Sequence, residues 1–170
     1  IDGKKDYPVT IGPIAEKWKG IYVYNSYKKS SIKHTIINNT NYTTDGILDL
    51  TGGINFYNTQ LSIQNLKINN SFAEDAINFV NSNFLIENLI ISNSKSDGID
   101  LDFSNGAISK SFFNKIGGDA IDFSGSNVNV YDVDINYVVD KGISVGEDSN
   151  ILINESIIKS GLFQKLGCKR

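Results

Sequence analysis

One phrase returns at a fixed interval: SDGIDLD at 96–102, GDAIDFS at 118–124 and DKGISVG at 140–146. Gly98, Ala120 and Gly142 stand 22 residues apart, Ala76 precedes Gly98 by 22, and Gly53 precedes Ala76 by 23. A repeat this short is one supersecondary unit that cannot bury its apolar edge alone, so copies must stack. Ile54, Ile77, Ile99, Ile121 and Ile143 form one apolar column, with Phe56, Phe79, Leu101, Phe123 and Val145 two residues on. A second strand contributes Ile63, Ile86, Ile108, Val130 and Ile153, and a third Ile68, Ile91, Phe113, Ile135 and Ile158. Alternation within each strand has period two, which turns these residues inward and their neighbours outward. Helical spacing of three and four is missing. The expectation is an all-β parallel β-helix, a solenoid of about six coils of 22–23 residues, with coils ~4.8 Å apart.

The repeat also marks its own interruptions. Residues 1–17 hold both prolines, Pro8 and Pro13, and read as an irregular edge or an incomplete coil, because proline is confined to edges and turns of sheets. Regular text begins at Trp18. Residues 39–52 are an insertion whose DGILDLT run is an enlarged loop or a short extra strand. Residues 161–170 continue no column and read as a non-repeat tail, a cap or a point of interruption. The whole, 1–170, is a single β-helix domain. With no Met and no charged-then-apolar leader, it reads as a mature or truncated piece of a longer protein.

Composition narrows the partners. A net charge of −3, with 15 dispersed lysines and a single arginine at the terminus, argues against nucleic acid. No apolar run approaches the ~18 residues of a membrane span. One cysteine, Cys168, rules out an internal disulfide. The 21 asparagines are placed rather than scattered: Asn38, Asn69, Asn114 and Asn136 follow apolar pairs or alternations, where stacked amides bond from coil to coil.

These repeats resemble the right-handed parallel β-helix of the pectin-lyase-like superfamily over about residues 18–160. More closely, they resemble an uncharacterised branch of bacterial secreted proteins in which the β-helix accompanies a spore-coat-H-like kinase region, absent from this chain. The resemblance implies an extracellular or cell-surface location and a polysaccharide ligand. SDGIDLD, GDAIDFS and DKGISVG are similar, in order and spacing, to the NTDGID, DDCIAI and GHGISIG phrases of polygalacturonase-type glycoside hydrolases. Carried over by position, the candidate catalytic residues are Asp97, Asp119 and Lys141. Gly118, however, stands where that family has its general-acid Asp, and Lys141 where it has His, and glycosidic hydrolysis needs a proton donor. Pectate lyases, similar in coil pattern, imply Ca²⁺ and an Arg or Lys base, for which Lys141 is the available group. Related alginate-acting enzymes use His and Tyr. The one histidine, His34, lies on another strand, far along the rod from the acidic coils, and reads as a turn or surface residue.

Without the resemblance, the outward face of the first strand is already ordered. Its exposed pairs run Tyr22 and Tyr24, Asn55 and Tyr57, Asn78 and Val80, Asp100 and Asp102, Asp122 and Ser124, Ser144 and Gly146. Tyr24, Tyr57, Asn78, Asp100, Asp102 and Asp122 are the candidate ligand-binding residues, since aromatic rings among polar groups suit the two faces of a sugar. Asp100 and Asp122 fall on adjacent coils ~5 Å apart, where like charges repel. A raised pKa, the Lys141 ammonium or a bound Ca²⁺ would relieve them, which makes this pair the candidate metal site. Alternatively, Asp75, Asp97 and Asp119 cap turns while Asp100 and Asp122 face screening water. The expected function is a polysaccharide-binding module, non-catalytic or weakly active. The alternative is a structural or adhesion solenoid, and an active lyase or hydrolase is the least favoured. An unpaired edge at either end of the rod invites self-association.

Overall fold

In the computed structural model, which describes residues 1–44, 49–159 and 166–168, the chain winds as a stack of parallel coils around one apolar core. Each full coil supplies one short and one long strand. Among the described residues, seven short strands form one sheet, including Ile21–Tyr24, Gly52–Tyr57, Asp75–Val80, Asp97–Asp102, Ile121–Ser124 and Ile143–Val145. Eight strands form the other, including Ser30–Asn38, Gln60–Ser71, Asn83–Ser94, Asn105–Ile116 and Asn127–Val138.

Each apolar column expected from the repeat is a register column. Ile54, Ile77, Ile99, Ile121 and Ile143 pair in turn across the short sheet. Ile63, Ile86, Ile108, Val130 and Ile153 pair across the long one, as do Ile68, Ile91, Phe113, Ile135 and Ile158. Most of these side chains are fully buried, and Phe56 stacks on Phe79 at 5.1 Å. The second and third strands of the repeat are one continuous strand, bent where a single residue takes a positive φ: Asn65, Asn88, Lys110 and Asp132 in successive coils. Positive-φ positions take eight of the 21 asparagines, because Asn tolerates the left-handed region better than most residues with a side chain.

Asparagine ladders do run between coils, but most of them lie at the corners. Asn69 Nδ2 donates to Asn38 Oδ1 at 2.9 Å, as expected. Asn58 bonds Asn25, Asn70 bonds Asn39, and Asn93 bonds Asn70, all from corner positions. Asn114 and Asn136 are in register, yet Asn136 Nδ2 turns to Asp134 instead.

The irregular segments also join the stack. Val9–Ile11 pairs in parallel with Thr35–Ile37 as an edge strand, with Pro8 just outside it. In the insertion, Thr43–Thr44 pairs antiparallel with Asp49–Leu50, and residues 45–48 of the DGILDLT run lie outside the described residues. The tail differs from its reading as non-repeat. The backbone of Leu166–Cys168 pairs in parallel with Ile143–Val145, setting Leu166 opposite Ile143. Leu166 follows Ile143 by 23 residues, the interval that separates Ile54 from Ile77, so the column continues on the repeat's own spacing.

Candidate functional site

The short sheet builds the site. Because Ile77 and Phe79 point inward, Asn78 and Val80 must point outward, and the same holds in every coil. Register lines up two outward columns: Tyr22, Asn55, Asn78, Asp100, Asp122 and Ser144, and beside it Tyr24, Tyr57, Val80, Asp102 and Ser124.

The first column is not the open surface that alternation implies. Asn55, Asn78 and Ser144 are 1 %, 4 % and 0 % exposed. Asn55 folds back on its own strand, accepting the Gly52 N–H at 3.0 Å and donating to Gly52 O at 2.6 Å. Asn78 Nδ2 donates to Thr51 Oγ1 at 2.6 Å, and Thr51 is brought there by the return of the insertion. Asp100 and Asp122 are half-buried. The second column stays open at its tyrosine end. Tyr24 is 54 % exposed, Tyr22 stacks on it at 6.0 Å and meets Tyr57 edge-on at 5.9 Å.

Along the turn just before these strands, Asp97, Asp119 and Lys141 are tied from coil to coil. Asp97 Oδ1 accepts the Asp119 N–H at 2.8 Å, and Asp119 Oδ1 accepts the Lys141 N–H at 2.8 Å. Lys141 Nζ then pairs with both oxygens of Asp119, at 2.8 and 2.9 Å, and with Asp140. Carboxylates accepting backbone N–H groups are strong caps. This ladder also accounts for Gly118. A Cβ there would sit 1.9 Å from Asp97 Oδ1, so the cap and a side chain at 118 exclude each other.

Asp75, at the same turn position one coil earlier, and Asp100, in the strand column, receive no backbone N–H from the next coil. Asp75 is 3 % exposed, and its Oδ2, like Asn78 Oδ1 and Ser144 Oγ, is buried with no hydrogen-bond partner. Burial, then the neighbouring carboxylates, push Asp75 up to about 7 despite a hydrogen bond from Thr51. Burial likewise pushes Asp100 up to about 8, with Asp75, Asp102 and Asp122 adding to it. Asp97 and Asp102 move upward for the same leading reason. Of the three ways to relieve opposed carboxylates, burial favours protonation at Asp100; the Lys141 ammonium is spent on Asp119 and Asp140.

A Ca²⁺ ion takes six to eight oxygens. Asp100 and Asp122 oppose each other in register, and Asp122 Oδ1 already accepts the Phe123 N–H at 3.0 Å. Among the described residues, no three acidic, His or Cys side chains gather as a metal-holding group. The pair alone does not make a cage. His34 sits on the long-strand sheet at a positive-φ corner, separate from the acidic coils.

Three features of the face escape a reading by alternation. Thr51 buries Asn78 through a long-range contact with no local signal. Thr59, Ser82, Ser104, Ser126 and Ser149 form a ladder in which each backbone N–H donates to the next coil's Oγ, and the 22–23-residue spacing does reveal it. Phe103, 64 % exposed, follows Asp102 at the exit of the face, in a column that holds asparagine in the preceding coils; the same spacing reveals it too.

A family model described as the right handed β-helix region matches residues 52–164. No curated protein and no solved structure matches the chain.

Proposed function

The chain belongs to the right-handed β-helix family, and we propose that this member is a carbohydrate-binding module of an extracellular or cell-surface protein, holding a polysaccharide along the open column of its short sheet. The observation that carries the proposal is the sequence of groups on one face: the ring cluster Tyr22, Tyr24 and Tyr57, then the carboxyl groups of Asp100, Asp102 and Asp122, in register from coil to coil. Rings offer apolar platforms for pyranose C–H faces, and carboxyl oxygens accept sugar hydroxyls. A straight rod repeats these groups at one coil spacing, which suits an extended chain ligand.

Binding without cleavage is the fitting form. Gly118 supplies no acid, and Asp97, Asp119 and Lys141 are engaged in holding coils together. That engagement also favours the second reading, a structural solenoid. Affinity electrophoresis against a panel of soluble polysaccharides separates the two. Retardation by at least one polymer, weakened in Tyr24→Ala at unchanged melting temperature, supports binding; no retardation by any polymer leaves the structural solenoid.

A further inference from the structure

We propose that Phe103 is the aromatic platform at the acidic end of this face, and that the ligand seated there is an uncharged polysaccharide rather than a polyuronate. This rests on the carbohydrate-binding reading above and adds to it a residue and a ligand class.

The residue stands out by its place in the coil. Asn25, Asn58, Asn81, Phe103 and Gly125 occupy one corner position in five successive coils, with φ of 49°, 50°, 49°, 49° and 58°. Each backbone N–H makes the same bond: to Tyr57 O, Val80 O, Asp102 O, Ser124 O and Glu147 O respectively. Asparagine and glycine adopt this left-handed conformation readily; for a bulky aromatic residue it is an outlier. The fold does not ask for a ring at 103, since asparagine serves the same corner three coils in a row. Nor does the core gain one, because most of the ring stays in solvent. Strain kept without a packing return points to use.

The ring is also seated. A Cβ added to Gly125, one coil further on, would lie 2.6 Å from Phe103 Cδ1. Phe103 thus lies over the bare backbone of Gly125, with most of the residue exposed. Asp102 directly precedes it, and Asp100 and Asp122 are on the same sheet. Among the described residues, the lysine nearest this bank by pairing, Lys141, is bound to Asp119 and Asp140. An aromatic ring beside acceptor oxygens, with no free ammonium paired to them, matches the C–H face and hydroxyls of a neutral pyranose. The carboxylates of a polyuronate would find no ammonium here to pair with among the described residues, and each would add to the repulsion that Asp100, Asp102 and Asp122 already exert on one another.

The test uses the whole chain and Phe103→Asn, which installs the residue that Asn58 and Asn81 carry at this corner. Probes are a linear galactan, a xylan and polygalacturonate, each with and without Ca²⁺, read by affinity electrophoresis, with melting curves in parallel. The expected result is retardation by a neutral polymer and not by polygalacturonate. Phe103→Asn should lower that affinity about tenfold while melting at the same temperature or higher, and Phe103→Tyr should keep it. If Phe103→Asn binds like the parent, or melts several degrees lower, the ring is structural and the inference fails while the carbohydrate reading stands. Preference for polygalacturonate, in either condition, overturns the ligand class. Failure of the parent chain to bind any polysaccharide removes the reading beneath it.

Discussion

Two columns of carboxyl groups run side by side on the short sheet, and their fates differ. In the turn column, Asp97 and Asp119 each receive a backbone N–H from the next coil, and Lys141 closes the series. In the strand column, Asp100 and Asp122 oppose each other in register, and among the described residues no lysine forms an ion pair with either. Asp75 shows what decides. It occupies the turn column, opposite Asp97, yet the Asp97 N–H goes to Glu74 O at 2.8 Å, and Asp75 Oδ2 is left buried without a donor. Residue type and register are therefore not sufficient to make a cap; the neighbouring coil must also present a free N–H. Where it does, aspartate is part of the scaffold. Where it does not, aspartate is protonated or available to a ligand.

The largest expected effect comes from removing a scaffold carboxylate. Asp119→Ala leaves the mostly buried Lys141 ammonium without its bidentate partner and a backbone N–H without its acceptor. Breaking such a pair costs about 3–5 kcal/mol, which for a chain of this size lowers the melting temperature by roughly 10 °C. Asp122→Ala in the strand column should change stability by less than about 0.5 kcal/mol. Equal losses in thermal melts of the two variants would erase the distinction between the columns.

Next in size is the pH dependence. Asp75 and Asp100 bind protons more tightly in the folded chain, with values near 7 and 8 against 3.8 when unperturbed. Between those limits the folded state holds the extra protons, so their contribution is fully present below about pH 4 and is lost as pH rises through 7 and 8. Asp75→Asn should therefore melt higher than the parent at pH 8, by an amount on the order of a few kcal/mol, with the gain vanishing near pH 4. Asp100→Asn should move the same way. Melts that rise with pH over this window in the parent chain contradict protonation of Asp75 in the turn column and Asp100 in the strand column.

That column also marks the boundary of what the sequence makes legible. The Ile54 to Ile143 register could be read from spacing alone, because inward alternation and coil length are local properties repeated many times. The buried state of Asn78 could not, since it depends on Thr51 arriving from an insertion that breaks the period. Nor could the missing donor at Asp75, which turns on a choice between Glu74 O and a carboxylate as acceptor for one N–H. Leu166 was legible too, since it follows Ile143 by 23 residues, the interval that separates Ile54 from Ile77. Phe103 is a different case: 22 residues after Asn81, it was legible as an exception, and apolar residues invite assignment to the core before exposure is known.

A smaller effect tests the steric link within the turn column. In Gly118→Ala the new methyl meets Asp97 Oδ1, so the carboxylate must swing away from the Asp119 N–H, at about 1–3 kcal/mol. In an Asp97→Ala background the same substitution should cost much less, and the coupling is measurable as a double-mutant cycle. Additive losses would mean that Gly118 is required for some reason other than the cap.

The smallest expected effect is that of Ca²⁺, and it separates the columns at low energy. The turn column offers none of its Asp119 oxygens, both being held by Lys141. The strand column offers Asp100 and Asp122, two carboxylates short of a full coordination shell and largely protonated at Asp100 below pH 8. An ion must therefore displace a proton and complete its shell with water, which sets a dissociation constant in the millimolar range, the weak end for protein sites. At a free concentration equal to that constant, stabilisation is about 0.4 kcal/mol, or roughly 1 °C in the melt. The rise should be larger at pH 8.5 than at pH 6, disappear in Asp100→Asn, and persist in Phe103→Asn. A rise of 5 °C or more at 1 mM Ca²⁺ would show that the strand column is a high-affinity metal site, and that cation binding rather than protonation relieves its opposed carboxylates.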